Sequence, residues 1–197
     1  MAITDGYTTL SEVKAILRLT DNVDDSLLET CIESASRQVD THCERVFTSG
    51  TAVRFYAPRD SYVCEIDDLI TLTDLTTSSD GDDFDTTWGA NEYQLEPLNG
   101  LTGGSYSPFT QLRAVDDLLF NVIGGEATVR VTGTFGYGTA IPVDVKQACN
   151  LMAIRQFKRY DSPLGVAGFG DIGVVRVSRV DPDIESLLAP YRKVRFA

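Results

Sequence analysis

The spacing of apolar residues changes period twice along this chain, and those two changes constrain what it can fold into. Up to Gly50, and again from Pro142, apolar side chains recur at helical spacing. Between them, from Thr51 to Gly136, the chain is rich in Thr, Val, Tyr and Phe, with Gly, Asn and Asp at the breaks, which is the composition of strands and turns. A β-rich stretch is therefore set inside a helical one. The expected class is α+β: a small bundle of two N-terminal helices and a central helix, a large, mainly antiparallel β insert, and an extended C-terminal arm ending in a short helix. The expected domains are 1–50 with 137–162 as helical core, 51–136 as β insert, and 163–197 as flexible loop and docking arm.

Local signals place the elements. Thr9 and Glu12 have capping-box spacing, followed by Leu10, Val13, Ile16 and Leu17 at helical intervals. "DDSLLETCIESASRQVDTHCERVF" reads as a second helix, with Leu28, Ile32, Ala35, Val39, Cys43 and Val46 along one side, ended by "TSG". "TAVRFYA", "YVCEI", "LITLTDLTT", "EYQLEP", "TQLRAV" and "ATVRVTGTFG" read as strands, and "GDDFDTTWGAN" and "LNGLTGGSYSP" as long loops. With no helix between them, the strands pair mainly antiparallel. The third helix, from Val143, is apolar on nearly every side, so Ala148 and Met152 are expected in a bundle core or against neighbouring subunits. Beyond Pro163 lie a glycine loop and "GVVRVSRV", a strand or arm. Asp181 then caps a last helix that begins at Pro182 and is limited to about two turns by Pro190.

The 197 residues suffice for a core without staples, and 43% hydrophobic with 23% charged residues is a globular composition. No apolar run approaches the ~20 residues of a membrane helix. The opening "MAITDGYTTLSEV" has neither the basic nor the apolar region of a signal peptide, so synthesis in a cytosol is expected. Cys31, Cys43, Cys64 and Cys149 never stand in C-x-x-C spacing, and His42 is the one histidine, so they read as buried thiols rather than zinc ligands. The net charge of −12 opposes tight binding of DNA phosphates. It is uneven: residues 1–141 carry −15 and residues 142–197 carry +3, so the basic end is expected either to meet something acidic or to remain solvated.

Several motifs invite chemistry. Gly168-Phe169-Gly170-Asp171-Ile172-Gly173 spells G-x-G-x-x-G, but a dinucleotide site needs strand, glycines, then helix. Here a helix precedes and a strand follows, so no helix N-terminus faces the glycines. Gly165, Gly168, Gly170 and Gly173 are read instead as a flexible hinge. "SSDGDDFD" clusters Asp80, Asp82, Asp83 and Asp85. An EF-hand counted from Asp80 would place Phe84 and Asn91 at ligand positions, so that motif fails. A looser cation site and a plain acidic loop both stay open. Residues 60–126 hold 14 acidic side chains and one basic, Arg113, a surface that repels DNA. His42 and Cys43 are adjacent but point about 100° apart on a helix, so they make no catalytic pair by sequence. Arg155, Lys158 and Arg159 share one side of the third helix and face DNA, an acidic neighbour or solvent. In "LLAPYRKVRFA", Leu187, Leu188, Tyr191, Val194 and Phe196 interleave with Arg192, Lys193 and Arg195, the residue types of an interface. That tail docks on a partner or on its own domain.

The run "VTGTFGYGTAIPVDVKQACNLMAIRQFKRYDSPLGVAGFGDIGVVRVSRVDPDIESLLAPYR" and the opening "TTLSEVKAILRLTDNVDDSLLETCIESASRQVD" together resemble the head–tail connector, or adaptor, proteins of long-tailed double-stranded DNA phages. The resemblance covers the two ends, somewhat over half the chain. It implies a structural virion protein rather than an enzyme, located at the head–tail junction after synthesis in the bacterial host. It also implies a homo-oligomeric, twelve-fold ring under the portal protein that extends the DNA channel and carries the stopper or tail-completion protein. A stopper or tail-completion role is the alternative. The family's C-terminal segment reaches the portal, and that role falls on Val174–Val180 and Asp181–Phe196. DNA passes through without sequence-specific binding. No cofactor, metal or membrane partner is expected.

Overall fold

The computed structural model describes residues 3, 5–102, 105–160 and 181–193. The chain divides into two units, Met1–Arg45 with Ile141–Ala197, and Val46–Ala140. An α+β fold results, with helices in the first unit and an antiparallel sheet in the second.

The helical unit begins with α1 (Leu10–Leu17), started by the expected capping box: Glu12 N donates to Thr9 Oγ1 at 3.3 Å and Thr9 N to Glu12 Oε2 at 3.2 Å. Next comes α2 (Asp25–Cys43), which buries Leu28, Ile32, Ala35, Val39 and Cys43 along one stripe. It stops earlier than "TSG", because Glu44 turns left-handed at φ 52° and its N–H bonds Asp40 O. Val46, read as the end of that stripe, is exposed. Against α2 lies α3 (Val143–Tyr160), through Val145, Ala148, Cys149, Asn150 and Ala153. The seam is built of small side chains. Ser36 Oγ lies 3.4 Å from Cys149 Sγ, and Thr8 Oγ1 donates to Asn150 Oδ1 at 2.6 Å. The third helix is not buried all round: Val143 and Tyr160 are exposed and Met152 is half-buried. All four cysteines are free and buried.

Asp181 caps α4 (Pro182–Leu188) by accepting from Asp183 N at 3.1 Å, and a 3-10 turn, Ala189–Tyr191, follows. Pro190 therefore sits in that turn, just past the helix it was expected to limit.

The β unit has strands β1 (Gly50–Tyr56), β2 (Val63–Thr77), β3 (Thr86–Thr87), β4 (Tyr93–Glu96), β5 (Leu101–Thr102), β6 (Ser105–Tyr106), β7 (Phe109–Ala114) and β8 (Val129–Phe135). The sheet order is β1-β8-β2-β7-β4, with β3 on β2, and β5–β6 forms a separate ribbon. Every pairing is antiparallel. "YVCEI" and "LITLTDLTT", expected as two strands, form one, because register shifts in β2 absorb the polar residues between them. At that joint Asp67 pairs with Arg54 at 2.7 Å, and Asp68 O accepts from Gly136 N at 2.8 Å. The strict alternation of β8 buries Val129, Val131 and Phe135 in a core shared with Cys64, Leu69 and Leu112. Trp88 stacks on Phe120 at 4.7 Å and donates to Thr77 Oγ1, so one long loop is tied to the core.

Two predictions follow from this packing. A Cβ at Gly133 would meet Thr71 O at 2.3 Å, whereas one at Gly50 meets nothing within 4 Å. Gly133→Ala is expected to cost about 1–3 kcal/mol by thermal unfolding, and Gly50→Ala to stay within about 0.5 kcal/mol of the parent. The second concerns Glu12, whose Oε1 lies 2.5 Å from Lys146 Nζ; that bond above all holds the carboxyl at about 2. A carboxyl depressed in the folded state stabilises above its unfolded value near 4.5 and loses that effect as pH falls toward 2. Glu12→Gln should lose stability less steeply than the parent from pH 4.5 to 2, read as urea midpoints. Parallel slopes would assign the acid sensitivity elsewhere.

Candidate functional site

The docking of α4 onto α2 and α3 leaves a half-open groove of about 270 Å³. Its floor is apolar, formed by Met152, Ile184 and Leu188. Gln38 and His42 from α2 and Gln156 from α3 supply polar edges. Along the α3 edge stand Arg155 and Arg159, with Asp181 and Glu185 opposite. Arg155 Nη1 bonds Asp181 Oδ2 at 2.9 Å, so the N-cap of α4 also fastens it to α3. Among the described residues no side-chain partner is found for Lys158 or Arg159, and both are exposed. Thus the side of α3 expected to act together divides into one cation used internally and two facing outward.

The C-terminal residues expected to dock are distributed by burial. Leu188 is 1% exposed, Tyr191 is buried with its hydroxyl donating to Asp144 Oδ2 at 3.2 Å, and Leu187 is half-buried. Lys193 N donates to Cys43 O at 2.9 Å, closing the last turn of α2. Arg192 is exposed. Val194, Arg195 and Phe196 lie outside the described residues, as do the hinge glycines Gly165, Gly168, Gly170 and Gly173 and the arm Val174–Val180. Ala148 is buried in the α2–α3 seam and Met152 forms groove floor.

Sequence reasoning missed three features. His42, given no partner by sequence, borders the groove; Asp181, read only as a cap, is an ion-pair partner; and Asn150 is a buried polar anchor for Thr8. Helical spacing points His42 and Cys43 in different directions, but nothing in the chain marks partners 26 or 142 residues apart.

Burial pushes the Cys43 thiol up to about 11, so it is a neutral thiol rather than a thiolate beside His42. In the acidic loop, Asp80 organises its own turn: Ser78 Oγ donates to its carboxylate at 2.9 Å, as does Asp82 N at 3.1 Å, and backbone donors hold its carboxyl below the usual range. Among the described residues no three His, Cys, Asp or Glu side chains converge as a metal site requires. No described helix is long and apolar enough to cross a membrane.

Residues 7–74 match the sequence profile of a family described as phage gp6-like head-tail connector protein. No curated protein sequence matches the chain significantly. Among solved structures, a chain of the neck of an empty GTA particle with C6 symmetry is similar at TM-score 0.63 and 19% identity, over 100% of this chain and 95% of that one. A chain of the native GTA neck with C12 symmetry matches at TM-score 0.61 and 17% identity, over 100% and 94%. The virion of the native gene transfer agent particle gives 0.60 and 20%, over 100% and 95%. At these identities the likeness is one of fold. By sequence over residues 7–74 and by fold over its whole length, this protein resembles the head–tail connectors of phages and the neck chains of gene transfer agents.

Proposed function

We propose that the chain is a structural component of the neck of a tailed phage particle, where copies form a ring under the portal protein, extend the DNA channel and carry the stopper or tail. The observation that carries this reading is the fold likeness to a neck chain over the full length of this protein. The connector profile over residues 7–74 supports it independently, by sequence. The C12 symmetry of one similar neck supports a twelve-fold ring.

The charge distribution fits passage of DNA. Residues 46–140 carry 14 acidic and four basic side chains, and such a surface repels phosphates rather than gripping them. The C-terminal segment divides its work. Leu188 and Tyr191 anchor it to the helical unit, and the portal-facing role falls on Arg192 and the residues after it, Lys193, Val194, Arg195 and Phe196. Anchoring a short peptide at one end lowers the entropy cost of docking its other end.

The first test is electron microscopy of particles made without this gene. DNA-filled or leaking heads beside free, complete tails are expected, and normal tailed particles would refute a role at the joint. A finer test ends the chain at Lys193, which leaves every described contact of α4 in place. The truncated protein is expected to fold with an unchanged melting temperature and to lose attachment to heads. Attachment at the full-length level would remove the portal role from the last four residues.

A further inference from the structure

The turn between α1 and α2 carries the most exposed large apolar side chain among the described residues, Val23 at 86%. The turn is firmly held. Lys14 Nζ donates to Asp21 O at 2.5 Å, to Asn22 Oδ1 at 3.0 Å and to Asp25 Oδ1 at 2.6 Å. Asp21 Oδ1 also accepts from Val23 N at 3.2 Å. A single surface valine is ordinary. One held outward by a stapled turn, with Asp21 and Asp24 beside it in the chain, has already lost the freedom that docking would remove.

The groove of the same unit is its complement. The apolar floor suits a valine, and Arg159, the groove cation with no partner among the described residues, suits an aspartate. Asp181 is already neutralised by Arg155, which leaves Glu185 as the acid on the α4 side. Val23 cannot reach its own groove. Gln38 and His42 lie 15 and 19 residues further along the chain, and at 1.5 Å per helical residue that is roughly 22 and 28 Å down α2. A projection at one end of a rigid unit and a cavity at the other make a head-to-tail contact, which on repetition closes a ring or runs on as a filament.

We propose that the α1–α2 turn of one copy seats Val23 in the α2–α3–α4 groove of the next, with Asp21 and Asp24 facing Arg159. This contact rests on the ring read above and names its two surfaces.

The test places Val23→Cys and Gln156→Cys in the full chain and oxidises purified particles. The native thiols are buried and do not compete. A disulfide needs Cα atoms within about 7 Å, so the two sites cannot join within one copy. A ladder of covalent multimers is expected, absent from either single variant. No ladder from particles that contain the chain would give the groove to another occupant, residues 161–180 or a different virion protein, and would overturn the contact while leaving the neck role standing. Absence of the unaltered chain from particles would overturn the neck role and this contact together. Val23→Asp supplies an independent reading. It should keep the parent melting temperature, since the side chain is exposed, and cut incorporation into particles at least about tenfold, a loss of about 1.4 kcal/mol or more in association. Incorporation at the parent level would overturn the proposal.

Discussion

The seam between α2 and α3 is the contact on which the helical unit depends, because there the two ends of the chain become one body. Its members are small: Ala35 and Ser36 on one helix, Ala148, Cys149 and Ala153 on the other. Small side chains let helix axes approach closely and leave little room for a larger residue. One polar pair crosses the seam, Ser36 against Cys149, and a second, Thr8 on Asn150, ties the segment before α1 to α3. A buried amide without a partner is costly, so the Thr8–Asn150 bond penalises displacement of α3 from the start of α1.

Closing that seam requires the chain to leave and return across the whole β unit, and the β unit makes the return short. Its first and last strands are neighbours: Gly50 lies opposite Phe135, and Tyr137 N donates to Val46 O at 3.0 Å. Gly136 permits this approach, with φ at 134° and Thr48 O where a side chain would stand. Entry and exit of the unit are thus hydrogen-bonded to each other. Once the sheet has formed, the entropy cost of bringing the helical segments together is that of a short connection rather than of a long loop.

The C-terminal helix shows one segment serving two purposes. Leu188 and Tyr191 complete the core of the helical unit, Arg155 and Asp181 fix the start of α4, and Lys193 closes α2. That docking shapes the groove, since α4 forms one of its walls. The residues chosen from the sequence as an interface are therefore partly core, and the surface their docking creates is the stronger candidate for contact with another chain. Electrostatics divide along the same lines. Most of the net negative charge falls on the β unit, and the outward cations of α3 stand on the helical one.

The sequence by itself determined the elements. Capping at Thr9 and Asp181, the buried stripe of α2 and the alternation of β8 are local rules, and local rules act through neighbours three or four residues away, or two along a strand. The character change at Thr51 and Pro142 also separated the helical from the β-forming stretches, for the same reason. The tertiary structure alone decided which elements meet. It joined two expected strands into β2 through register shifts, sent Leu188 and Tyr191 inward, and brought His42, Arg155 and Asp181 to one groove. Those outcomes rest on contacts between residues far apart in the chain, where burial and pairing are settled by shape and charge across the fold, and no periodicity in the sequence records them.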